Sequence, residues 1–186
     1  MEKEVGSMRP EFVRLLLGLA VLVIIAGSFA LYASFPLLSG KTIVLATRPV
    51  DPFDPFRGQY IVIGYEVGSI VPNPLSSLSQ GDTVYVSLKE DDVPTDGVRI
   101  WRYNGVSVNR PSEGVFLKGT VMTSAPNWLR IEYGIEQYFF ERGAELPRSN
   151  ISVEVKVASD GRAAVSDLLY LGKSAKLIYR NVTLTS

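Results

Sequence analysis

The chain has 186 residues, nineteen Lys+Arg against nineteen Asp+Glu, and neither cysteine nor histidine. Those absences exclude a disulfide scaffold, Fe–S ligation and a cysteine nucleophile, and they remove the usual general base and the commonest metal ligand. Sixteen charges of each sign lie beyond residue 40 with no basic run, so counterion-release binding to nucleic acid is set aside, and the composition calls for no cofactor and no metal.

The first forty residues are a segment apart. Leu15–Ala33 (LLLGLAVLVIIAGSFALYA) is almost wholly apolar, and no charge occurs from Leu15 to Gly40. Nineteen residues at about 1.5 Å each span roughly 28 Å, close to the hydrocarbon thickness of a bilayer. Tyr32 and Phe35 stand where interfacial rings are favoured, and Pro36 and Gly40 are expected to end the helix. Lys3, Arg9 and Arg14 precede the run, which places a cytoplasmic segment at 1–14, a transmembrane helix at 15–36 and an extracytoplasmic domain at 41–186. A cleaved signal peptide with Ser28-Phe-Ala30 as its processing site is the competing expectation, but the apolar run exceeds the usual h-region.

From residue 41 the periodicity changes to that of strands. Thr42–Arg48, Gln59–Val67, Thr83–Leu88, Val98–Tyr103, Val115–Met122, Leu129–Tyr133, Gln137–Phe140, Ile151–Val157, Ala163–Leu171 and Ala175–Leu184 are short and rich in β-branched or aromatic residues. Val84, Val86 and Leu88 alternate onto one face. Ser159-Asp-Gly-Arg162 reads as a hairpin turn with both central residues at φ > 0, and Glu90–Gly97 (EDDVPTDG) as an acidic connection ending in Asp-Gly. The stretch 71–80 is the longest expected loop. Nine or ten short strands without an amphipathic helix predict an all-β antiparallel sandwich or open barrel, preceded by one transmembrane helix.

One stretch departs from generic β sequence: Arg48-Pro-Val-Asp-Pro-Phe-Asp-Pro-Phe-Arg57-Gly-Gln-Tyr-Ile-Val-Ile-Gly-Tyr65. Its prolines fix φ, Asp51 and Asp54 each precede a proline, and Phe53 and Phe56 offer anchors. Beyond the loop, Tyr60, Val62 and Gly64 are expected on one face and Ile61, Ile63 and Tyr65 on the other. Over Pro49, Asp51, Pro52, Asp54, Phe56, Arg57, Gly58, Tyr60 and Tyr65 it resembles the GDYXXLXY family, named for its strand motif. A second block, Tyr133-Gly-Ile-Glu-Gln-Tyr-Phe-Phe-Glu-Arg-Gly143, and the closing Asp-Gly-Arg-Ala hairpin resemble the same family, so the likeness covers roughly residues 41–171. Gln59 stands where the motif has Asp, and Ile63 where it has Leu. The first change removes a carboxylate; the second is trivial on a buried face. The resemblance implies an N-terminally anchored membrane protein and supplies no activity.

The two motifs define one candidate site of Arg48, Asp51, Asp54, Arg57, Gln59, Tyr60, Tyr65, Glu136 and Gln137, which serves either as a ligand or partner site or as a structural ion-pair network. Paired carboxylates can do acid/base work or bind a hard cation, whereas arginines beside them can neutralise them. The acidic loop with Glu90, Asp91, Asp92 and Asp96 lacks EF-hand spacing. Trp128, Tyr133, Tyr138, Phe139 and Phe140 form an aromatic-rich patch that core packing explains more often than a ligand groove. Asn150-Ile-Ser152 and Asn181-Val-Thr183 are N-glycosylation triplets. The function these residues predict is a non-enzymatic, membrane-anchored extracytoplasmic module serving a polytopic membrane protein or an envelope component. The alternative is an envelope hydrolase or transferase using carboxylates or a Ser39/Lys41 pair.

Overall fold

A computed structural model describes residues 10–48, 60–69, 71–74, 77–139, 144–145, 150–175 and 178–179. The chain forms two compact units, Met1–Phe35 and Pro36–Ser186. The first is the body of helix α1, Pro10–Ser39, whose Glu11–Ser39 stretch is long and apolar enough to cross a membrane. Pro36 does not end the helix, contrary to expectation. Its ring is tolerated inside α1, and the Gly40 N–H donates to Pro36 O at 2.8 Å, completing a last turn before the chain leaves at Gly40.

Fourteen strands are described in the second unit, most of them in one ten-stranded open sheet. Its long members are β1 (Lys41–Arg48), β5 (Thr83–Glu90), β6 (Ile100–Ser107), β7 (Val115–Ser124), β8 (Trp128–Glu132), β11 (Ile151–Val157) and β12 (Ala163–Tyr170). Short pieces complete it: β3 (Gly64–Tyr65), β4 (Val71–Pro72) and β13 (Lys173–Ser174). The order is β13-β12-β11-β1-β6-β5-β7-β8-β4, with β3 paired to β1. The β-rich fold and its preceding apolar helix agree with the sequence. Among the described residues the pairings are antiparallel except β1 with β6, which run parallel with Val44 opposite Ile100.

Alternation explains why one face is dry. Val84, Val86 and Leu88 of β5, Ile43 and Leu45 of β1, and Val153 and Val155 of β11 are all buried on it. The sheet curls over this face. Lys118 N of β7 donates to Gly161 O in the β11–β12 turn at 2.7 Å, and a Cβ on Gly161 would lie 2.8 Å from the Phe116 ring. Strong curling of this kind lets one sheet enclose a core without a second layer.

The turns refine the expected chemistry. Asp96 and Gly97 both have positive φ (50° and 79°) between paired Thr95 and Val98, a type I′ hairpin. At Ser159–Arg162 only Gly161 is at positive φ (84°). Gly161 N bonds to Ala158 O and Ala158 N to Arg162 O, making a three-residue loop with the glycine at its αL position. The run Gln59–Val67 is likewise two strands rather than one. β2 (Tyr60–Val62) pairs with β9 (Gln137–Phe139), β3 pairs with β1, and a single helical turn, α2 (Glu66–Ser69), follows. The expected loop at 71–80 contributes the edge strand β4, and the tail after Gly172 contributes β13 and β14 (Ile178–Tyr179), the latter paired with β10 (Ala144–Glu145).

Candidate functional site

Of the nine candidate residues, Asp51, Asp54, Arg57 and Gln59 lie outside the described residues, as do Phe53 and Phe56. The other five are placed by β1, β2, β3, β9 and the turn before β9. Arg48 ends β1, exposed, opposite Gly64 of β3. Tyr60 opens β2 opposite Phe139, and Val62 faces Gln137. Ile63 N then donates to Glu136 O at 2.6 Å, which carries the pairing of the two motifs one residue further. The stretches 60–65 and 133–139 are therefore neighbours over most of their length.

Two tyrosines clasp these stretches reciprocally. The Tyr65 hydroxyl donates to Ile135 O at 2.8 Å, and the Tyr133 hydroxyl donates to Val67 O at 2.6 Å. Each ring leaves its own segment and satisfies a backbone carbonyl of the other, where an unpaired buried carbonyl would be costly. Tyr65 is 2% exposed and Tyr133 8%. Burial, and after it the nearby Glu136 carboxylate, pushes both phenols far above their ordinary value, so both are neutral donors at physiological pH. Glu136 is half-buried and accepts the Tyr133 N–H at 2.6 Å, closing the Tyr133–Glu136 turn in which Gly134 takes φ +80°.

The Tyr133 ring occupies a slot between two glycines that sequence reasoning passed over. A Cβ on Gly68 would lie 2.6 Å from Ile131 O and 2.9 Å from Tyr133 Cε2. One on Gly119 would collide with the Ile131 side chain and lie 2.9 Å from Tyr133 Cδ1. Gly119 interrupts a strand pattern, which is a signal of close approach, whereas Gly68, inside α2, carries no such signal. Also unanticipated is an ion-pair group beside α2: Arg102 Nε meets Asp91 Oδ2 at 2.6 Å, and its Nη1 meets Glu66 Oε2 at 2.9 Å. With Arg99 near Glu90 at 3.5 Å, part of the acidic connection is held by arginines of β6 and the preceding loop.

The remaining candidates separate in space. Tyr133 is core and Tyr138 packs half-buried against it, whereas Trp128 lies partly exposed on β8 beside edge strand β4; Phe140 is outside the described residues. Lys41 lies over the Trp101 ring, 4.6 Å from its centroid. Asn150 is exposed at φ +57°, and Asn181 is outside the described residues.

The family model described as GDYXXLXY protein matches residues 22–168, from within α1 to Leu168 of β12. No curated protein and no solved structure matches the chain.

Proposed function

Because the chain belongs to the GDYXXLXY family, whose match takes in the later part of the apolar helix together with most of the sheet, we propose that it is a single-pass membrane protein working as an anchored binding or accessory module. In this reading α1 crosses the bilayer, the N-terminus with Lys3, Arg9 and Arg14 stays in the cytoplasm, and the β unit serves a polytopic membrane or envelope partner outside. The partner-facing residues in this reading are Asp51, Asp54 and Arg57, which precede the stretch 60–65 in the sequence.

The reciprocal tyrosine clasp carries this reading. The Tyr65 and Tyr133 hydroxyls and Glu136 Oε1 all bond to backbone partners, and two phenols held neutral by burial do not serve as proton carriers at physiological pH. These are the properties of a rigid mount for a loop rather than of a reacting centre.

Two measurements test it. Protease added outside intact spheroplasts should digest the β unit and leave a fragment containing α1; a protected β unit, or a mature chain beginning near Leu31, refutes the anchored topology. Arg57→Ala and Asp54→Ala in the detergent-solubilised full-length protein should abolish cross-linked partner capture while leaving the thermal melt in place. Variants that melt early and still capture the partner assign the loop to the structural network instead, since a broken buried pair destabilises strongly.

A further inference from the structure

We infer that the β unit carries its own contact surface for anionic phospholipid headgroups, formed by Leu37, Leu38, Lys41, Trp101 and Lys156. All five belong to the unit that starts at Pro36. The inference rests on the anchored reading and adds to it a lipid class and the residues that recognise it.

The last turn of α1 is fastened to β11. Pro36 is buried, and a Cβ on Gly40 would collide with Pro36 O and lie 2.9 Å from Val157 N. The turn nevertheless leaves Leu37 40% and Leu38 73% exposed. Two large apolar side chains held open at a fixed position suit a hydrocarbon boundary better than water.

Cations flank them. Lys156 Nζ donates to Leu37 O at 3.0 Å, so one ammonium sits on the backbone of the exposed turn and neutralises its terminal carbonyl dipole. Lys41 follows one residue after Gly40, and its ammonium lies over Trp101. An ammonium above an indole face keeps its N–H donors available to a phosphate, while the ring favours the headgroup level.

Neighbouring carboxylates are engaged elsewhere. Glu90, opposite Trp101 in the β5–β6 pair, is near Arg99. Asp160, in the turn after β11, is held by Arg162 at 2.7 Å. Glu154, two residues along β11 from Lys156, accepts the Ser166 hydroxyl at 2.7 Å. The occupant is therefore phosphate, one headgroup at each lysine, because Lys41 (opposite Val157) and Lys156 (opposite Thr42) leave the β1–β11 pair on opposite faces. Only Gly40 separates α1 from β1, so the bilayer crossed by α1 is the source of that phosphate. Each lysine near an anionic surface contributes about a fivefold preference for it.

The chain has two tryptophans, so Trp128→Phe leaves Trp101 as a single reporter. This full-length variant is placed in nanodiscs of phosphatidylcholine, with or without phosphatidylglycerol, containing lipid spin-labelled at the headgroup. Trp101 emission should be blue-shifted and more strongly quenched in the anionic discs. Lys41→Glu/Lys156→Glu, or high salt on the unaltered lysines, should remove that gain. Quenching that ignores lipid charge, or survives both the double substitution and salt, overturns the inference. The salt arm needs no refolding of a charge-reversed variant and so tests the idea even if that variant is unstable. A chain that never enters the discs refutes the anchored reading instead.

Discussion

The tyrosine clasp makes a quantitative claim about Tyr65→Phe and Tyr133→Phe. Each change removes one hydroxyl and almost no volume, so no cavity opens and the effect isolates a hydrogen bond. Tyr65→Phe leaves Ile135 O without its donor, and Tyr133→Phe leaves Val67 O without its own. A buried group left unsatisfied costs about 1–3 kcal/mol. For a unit of this size each kcal/mol moves the melting temperature by about 2–4 °C, so each variant should melt roughly 2–12 °C below the parent. The two bonds tie the same pair of segments. Once one is broken the other holds less, and the double variant should lose less than the sum of the singles. Near-UV circular dichroism melts of the full-length protein in detergent measure all three. Single variants that melt with the parent, or a strictly additive double variant, would refute the clasp as the fastening of the two motifs.

The same phenols predict an alkaline weakness. Their folded pKa lies above the unfolded value, so their stabilisation is complete below pH ~10 and declines as pH rises through the folded values. Denaturant titrations above pH 10 should lose about 1.4 kcal/mol per pH unit for each tyrosine, and the double Phe variant should flatten that slope. Gly119→Ala forces a methyl against Ile131 and the Tyr133 ring, at a cost of about 1–3 kcal/mol, whereas Gly18→Ala meets open space in α1 and should leave the melt of the β unit unchanged. Glu136→Gln keeps an acceptor for the Tyr133 N–H and should be mild, while Glu136→Ala should cost about 1–3 kcal/mol in the same melt. Arg102→Ala breaks only exposed pairs with Asp91 and Glu66, so its loss should stay within about 1 kcal/mol per pair and shrink further at high salt.

Alternation made the sheet legible. Val84, Val86 and Leu88 sit on the dry face because β-branched and aliphatic residues at every second position allow one register against the core. The break at Ile63 was not legible. Tyr60–Tyr65 reads as one continuous strand, and only its two different partners, β9 and β1, divide it. Pairing is a tertiary fact that a local pattern does not encode. The parallel β1–β6 neighbour was hidden for the same reason. Family motifs pointed to Tyr65 and Glu136, but the acceptors that complete the clasp are the backbone carbonyls of Ile135 and Val67, and those carry no residue signature. Gly68 and Gly119 were not singled out in the sequence, and their meaning appears only with Tyr133 between them.

The central position of β1 has a consequence for how the protein is made. The strand that leaves the ribosome directly after α1 pairs along its length with β11, Lys41 opposite Val157 and Ala46 opposite Ser152, partners more than a hundred residues downstream. Its other neighbour, β6, is also non-local. Such pairings must close a long loop before they return any stabilisation, which slows folding. During synthesis the edge of β1 that takes β11 therefore stays open until β11 has emerged, although β3 and β6 are made earlier. A chain stalled or clipped before Ile151 would keep its helix and lose the strand that completes the middle of its sheet, the kind of intermediate that quality-control proteases remove.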